Sequence, residues 1–208
     1  FEQKQLKHAL DFATSNRLEL EILLQHYTYD SLKLEAAKFL IRNMPHCYSY
    51  QQGGEMDSVK RVRTYYSPFG QIDQTYARRW GHYTYRNLPK IYDAHIITAE
   101  YLIDNIDRAF DNWQKRPWNR SLSFEDFCEY LLPYRIGDEP LEEWRELYEK
   151  KYGYLLDSIY KGSDVVEAAN LVSRHLQEPV FIYCEDFELP HIGPRYLFSH
   201  RYGSCVDA

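Results

Sequence analysis

Apolar residues recur every three to four positions along most of this chain, the spacing that gathers them on one face of an α-helix. Leu6, Ala9, Leu10 and Ala13 form a first stripe, and Leu20, Leu23, Leu24 and Tyr27 a second. A third stripe, Leu32, Ala36, Phe39, Leu40 and Met44, follows Asp30, whose carboxylate suits a helix start. Pro45 closes that stretch, because proline has no N–H with which to continue a helix. Residues 1–44 are therefore expected to form three short helices, antiparallel where the connections are short.

The period disappears from about 46 to 95, where Gly53-Gly54, Ser67-Pro68 and Gly70 interrupt a run rich in Tyr and Arg. This irregular insertion is expected to be long loops with short helical pieces. The helical period returns with Leu102, Ile106, Ala109, Phe110 and Trp113, and must stop before Pro117. Ser123 with Asp126 has capping-box spacing ahead of Phe124, Phe127, Cys128 and Leu131. Leu141, Trp144, Tyr148, Leu155 and Ile159 mark a long helix with a bend expected at Gly153. Ser163 or Asp164 caps the next, with Val165, Ala168, Ala169, Val172 and Leu176 facing inward and Pro179 ending it. Val180 to Tyr183 reads as a short strand, and Cys184 to Tyr202 as loop or extended chain broken by Pro190 and Pro194.

A chain of 208 residues buries one good core or two small ones, and 44% hydrophobic residues is ordinary for a globular protein. A net charge of −6 without a long basic run argues against nucleic acid as a partner. No apolar run reaches bilayer length, so no transmembrane span is expected. Phe1 heads no secretory signal, and this says nothing of where the protein is made. The four cysteines, at 47, 128, 184 and 205, form no Cys-x-x-Cys pair and need not be joined in disulfides. Cys128 reads as a small core residue. His46-Cys47 has no second pair at metal-ligand spacing, and no His-Glu-x-x-His occurs, so no metal site is expected.

Cys205 is the candidate nucleophile. It follows a Gly-Ser turn at an expected helix start, where free N–H groups and the helix dipole stabilise a thiolate. The same groups can donate to the oxyanion formed when that thiolate attacks a carbonyl. Asp207, two residues on, does not share its helical face and reads as a structural charge. His191 and His200 precede the cysteine. On an extended segment five residues span about 17 Å, which separates His200 from Cys205. Glu125-Asp126, Glu142-Glu143 and Glu185-Asp186 read as solvated charge pairs. Tyr48, Tyr50, Tyr65, Tyr66, Tyr76, Tyr83 and Tyr85 gather in the irregular region, as packing residues or as a platform for a sugar or peptide. Arg135, within Pro133-Tyr-Arg-Ile-Gly137, is a candidate for organising the interface between the helical domain and a catalytic core.

Gly203-Ser204-Cys205-Val206-Asp207 resembles the nucleophile motif of the transglutaminase-like superfamily, Gly-x-Cys-x-Asp opening a helix. The stretches Tyr29 to Leu40, Phe124 to Tyr130 and Leu132 to Leu141 are similar to the helical front half of a group of bacterial transglutaminase-like proteins. The resemblance implies a mainly α fold: an antiparallel helical domain over 1–160, carrying the insertion at 46–95. Residues 161–208 would begin an α+β papain-like or transglutaminase-like core, truncated after the Cys motif.

The resemblance also implies chemistry. Cys205 would attack an amide of a protein or peptide substrate, and water or an amine would resolve the thioester, giving hydrolysis or acyl transfer. The His and Asp partners follow the cysteine in that family, beyond Ala208, so these 208 residues are expected to be inactive by themselves. No cofactor is needed, no acidic calcium loop is visible, and the location implied is extracytoplasmic, periplasmic or at the cell envelope. The alternative is a non-catalytic helical module that binds protein or carbohydrate.

Overall fold

The structure, a computed structural model, describes residues 1–54, 56–57, 88–176, 182–183, 191, 193–200 and 202–203. It is mainly helical. Helices α1 (Glu2–Phe12), α2 (Arg17–His26) and α3 (Ser31–Asn43) fall where the apolar stripes predict them. Asp30 caps α3 by accepting the Lys33 N–H at 3.1 Å. Small side chains set the spacing of α1 on α3: Ala9, Ala13, Ala36 and Ala37 are all buried, and these two helices pack closely. Leu32, assigned to the inward stripe, is instead 43% exposed at the first turn of α3.

Helix α4 (Ala99–Lys115) is the central element. Thr98 caps it by accepting the Tyr101 N–H, and Glu19 of α2 accepts the Ala99 N–H at 2.7 Å. Its inner face buries Leu102, Asn105, Ile106, Ala109 and Phe110 against α2 and α3. Asp107 joins the three helices at the edge of the core, accepting from Tyr27 Oη and Lys33 Nζ, each at 2.8 Å. Phe127 closes the far end. It is fully buried, stacks on Trp113 with centroids 4.4 Å apart, and meets Phe110 at 4.7 Å.

The expected capping box forms: Ser123 and Asp126 open α5 (Phe124–Asp126), which widens into a π-turn over Phe127–Leu131. Helix α6 (Trp144–Tyr154) also widens into a π-turn, over Leu155–Ile159, just after Gly153. Helix α7 (Val165–Leu176) starts at Asp164, whose Oδ1 accepts the Val166 N–H at 2.7 Å. Its predicted inward stripe is largely on the surface. Ala168 is buried, but Val165 is 53% exposed and Ala169 is exposed as well.

Two features correct the sequence reading. The described ends of the 46–95 insertion are paired strands, β1 (Tyr48–Tyr50) and β2 (Lys90–Tyr92), antiparallel with Tyr48 opposite Tyr92. Three-residue strands carry too little alternation to register as a period. Near the chain end, residues 194–200 are neither loop nor extended. They form helix α8 (Pro194–His200), between β3 (Ile182–Tyr183) and β4 (Tyr202–Gly203), which pair in parallel. Pro194 acts here as the first helical residue, where its missing N–H would have no partner in any case and its fixed φ suits the helix.

No described helix is long and apolar enough to cross a membrane.

Candidate functional site

The residues with the most unusual environment lie in the loop between the π-turn after α5 and helix α6. Its main chain is neither helix nor strand, so its carbonyls need partners from elsewhere. Side chains supply them. Arg145 donates to the carbonyls of Leu131 and Pro133, and Asn105 to that of Leu132 at 2.9 Å. Trp144 Nε1 donates to Tyr134 O at 2.8 Å, and Tyr101 Oη to Glu142 O at 2.9 Å. Burial lowers the Arg145 guanidinium to about 10, which still leaves it charged at neutral pH.

Arg135 occupies the middle of this loop. Its guanidinium grips Asp93 through two bonds, Nε to Oδ2 at 2.6 Å and Nη2 to Oδ1 at 2.7 Å. Nη1 donates to the carbonyls of Tyr48, Gly137 and Glu139. Both partners are buried, with Asp93 at 0% and Arg135 at 7% side-chain exposure. Burial pushes the Asp93 carboxyl up, and Arg135 opposes that shift. Burial also works against the Arg135 cation, but Asp93 outweighs it and the guanidinium is held above its ordinary value. One arginine thus binds β1, the turn after β2 and its own loop. Glu139 completes the fold of the loop by accepting the N–H groups of Ile136 and Gly137.

The rigid loop presents Asp138, Glu142 and Glu143 to the segment that leads toward Cys205. Asp138 Oδ1 accepts the backbone N–H of His191 at 2.8 Å and lies 2.7 Å from its Nδ1, so that ring nitrogen is the donor. Glu142 Oε2 accepts the Arg195 N–H at 2.9 Å, and Glu143 pairs with the Arg195 side chain at 3.4 Å. Two glycines allow the close approach. A Cβ on Gly137 would sit 2.3 Å from His191 Nδ1, and one on Gly193 2.3 Å from Glu142 Oε1. Helix α8 then lies on α6, with Leu197 fully buried, Phe198 against Tyr148 and Tyr152, and Lys151 Nζ 4.1 Å from the Phe198 ring centroid.

Arg135 is therefore buried; its own bonds go to Asp93, Tyr48, Gly137 and Glu139, while Asp138, Glu142 and Glu143 of its loop reach His191 and Arg195. That reading missed Asp138 and treated Glu142-Glu143 as solvated charge. Asp138 and His191 are 53 positions apart, so no local pattern joins them. Asp126 is a capping residue, and Glu125 is exposed on the surface. The argument that separated His200 from Cys205 assumed an extended chain. The span in question is 200–205; helix α8 ends at His200, and the described residues beyond it, Tyr202–Gly203, form strand β4.

Cys205, Asp207, Cys184, Glu185-Asp186, the side chain of His200 and the tyrosines at 65, 66, 76, 83 and 85 lie outside the described residues. Cys47 and Cys128 are free thiols. Among the described residues no three His, Cys, Asp or Glu side chains converge as a metal site. Comparison with family models, curated proteins and solved structures finds no match to this chain.

Proposed function

We propose that the helical domain is the scaffold of a thiol enzyme whose nucleophile is Cys205, acting on amide bonds of a protein or peptide by acyl transfer or hydrolysis. The observation that supports this reading is the clamping of the lead-in to the Gly-Ser-Cys motif. His191, Arg195 and Phe198 are held on the loop and α6, and Tyr202–Gly203 pairs with Ile182–Tyr183. A nucleophile works best when its backbone is fixed in advance, because held geometry removes the entropy of orientation from the barrier.

In this reading a His takes the Cys205 proton and a carboxylate orients that His. The thiolate attacks the amide carbonyl, ammonia or an amine leaves, and water or a second amine resolves the thioester. The His and Asp follow Cys205 in sequence, as the resemblance implies. The His191–Asp138 pair then belongs to the clamp. Residues 161–208 open an α+β core of papain-like or transglutaminase-like type. No cofactor enters the steps, and the same reading puts the protein outside the cytoplasm.

The test uses a form of the protein that extends beyond Ala208. Ammonia release from a glutamine-containing peptide, or incorporation of a fluorescent primary amine into it, should occur and should vanish in Cys205→Ser. Activity that survives this substitution would defeat the proposal. A properly folded protein with no such turnover, and with an ordinary Cys205 thiol, would favour the non-catalytic binding module.

A further inference from the structure

Away from the clamp, a cavity of about 510 Å3 lies where α1, α3 and the α5 turn meet. The half-buried Phe39 and Phe124 and the buried Cys128 are among the residues that line it. A second cavity of about 200 Å3 shares Phe39, Asn43 and Glu129 with it and reaches Pro133 and Tyr134. The larger cavity is lined about equally by apolar groups, among them Phe39 and Phe124, and by polar ones.

The charge around the larger cavity is one-sided. Four carboxylates line it, those of Glu2, Glu35, Glu125 and Glu129, against the guanidinium of Arg42 and the amino group of Phe1. Arg42 is paired with Glu2 at 3.4 Å, and Glu35 with Lys38 at 2.7 Å. Glu125 and Glu129 have no ion-pair partner among the described residues and stand four positions apart, on either side of Cys128. The Cys128 thiol senses the balance. Burial is the main cause of its rise to about 11, with Glu125, Glu129 and Glu35 adding to it and Arg42 opposing. An anion would enter against that potential, and an uncharged guest would strip water from the carboxylates without replacing it. A cation on an apolar stem satisfies both the sides and the rim.

We infer that this cavity binds a basic peptide segment, with an Arg or Lys side chain lying between Phe39 and Phe124 and its charge beside Glu125 and Glu129. The inference stands apart from the role given to Cys205.

The test is a titration followed through the backbone amide signals of Phe39 and Cys128. The probes are acetyl-Ala-Arg-Ala-amide and its citrulline counterpart, in which a neutral urea of nearly the same shape replaces the guanidinium. The arginine peptide should give saturable shifts and bind roughly fivefold or more tightly than the citrulline peptide. Raising the salt should narrow that gap. The double variant E125Q/E129Q, changed only at exposed positions, should bind both peptides alike while keeping the circular dichroism of the parent. Equal binding of the two peptides by the parent, or no saturable shift with either, would overturn the inference. Butylguanidinium binding as tightly as the arginine peptide would overturn the peptide assignment and leave a site for small cations.

Discussion

His191 directs both its backbone N–H and its ring Nδ1–H at one oxygen of Asp138, at 2.8 and 2.7 Å. A single carboxylate in a rigid loop thereby fixes the position and the ring orientation of a residue 53 places further along. The stretch that leads to Gly-Ser-Cys is attached to the helical domain through this contact and its neighbours.

Asp138→Ala should loosen that attachment in a pH-dependent way. Burial raises the Asp138 carboxyl, but the bonds from His191 outweigh it and hold the group below its ordinary 3.8. A depressed folded pKa contributes stability that is present above the unfolded value and is lost as pH falls through the folded one. In urea unfolding, the variant should therefore be less stable by roughly 1 kcal/mol near neutral pH, partial exposure included. The difference should shrink below about pH 4 as the carboxyl protonates. A difference that does not change with pH would mean that the carboxylate charge has no part in the clamp.

Gly137→Ala should act at the same place through shape. The new Cβ would lie 2.3 Å from His191 Nδ1, so the ring must leave Asp138. Faster hydrogen exchange over 194–200, with exchange in α4 unchanged, is the expected pattern. Unaltered exchange over 194–200 would show that His191 can shift without releasing the helix that follows it.

Arg135→Met should be far more costly. It leaves Asp93 buried without its counter-charge, a loss of about 3–5 kcal/mol. Arg135→Lys should recover little, because a point charge cannot serve two carboxylate oxygens and three carbonyls at once. Adding Asp93→Asn to Arg135→Met should cost less than the sum of the two single changes. Denaturant midpoints of the four proteins check this, and strict additivity would contradict a coupled pair.

Phe127→Ala should destabilise the core by about 3–5 kcal/mol, since it removes a fully buried ring stacked on Trp113 and edge-on to Phe110. Phe127→Leu should recover part of the loss. A cost under about 1 kcal/mol for the alanine variant would show that the site collapses around the gap.

The helical half of the molecule was legible because its signals are local. The stripes of α1 to α4, the Asp30 cap and the Ser123–Asp126 box each lie within a few residues of one another. The clamp was not, since its bonds join Asp138 to His191 and Glu142 to Arg195 across 53 positions each. The pairing of Tyr48–Tyr50 with Lys90–Tyr92 is likewise a long-range fact carried by very short strands. Pro194 misled as a breaker because a proline that opens a helix and one that prevents it look alike in sequence. Arg135 drew attention for its place in a Pro-Tyr-Arg-Ile-Gly run, but nothing local pointed to Asp93 as its partner.

The most direct test of the account is the rate at which iodoacetamide labels each cysteine, mapped by peptide mass from pH 5 to 9, a range that brackets a free thiol near 8.5. The protein used should extend past Ala208. The account predicts fast labelling of Cys205 below pH 7, with Cys47 and Cys128 slow because burial raises both thiols. Asp138→Ala should slow Cys205 while leaving the other two unchanged. An ordinary alkaline profile at Cys205 in that protein would contradict the nucleophile and leave the clamp as architecture alone.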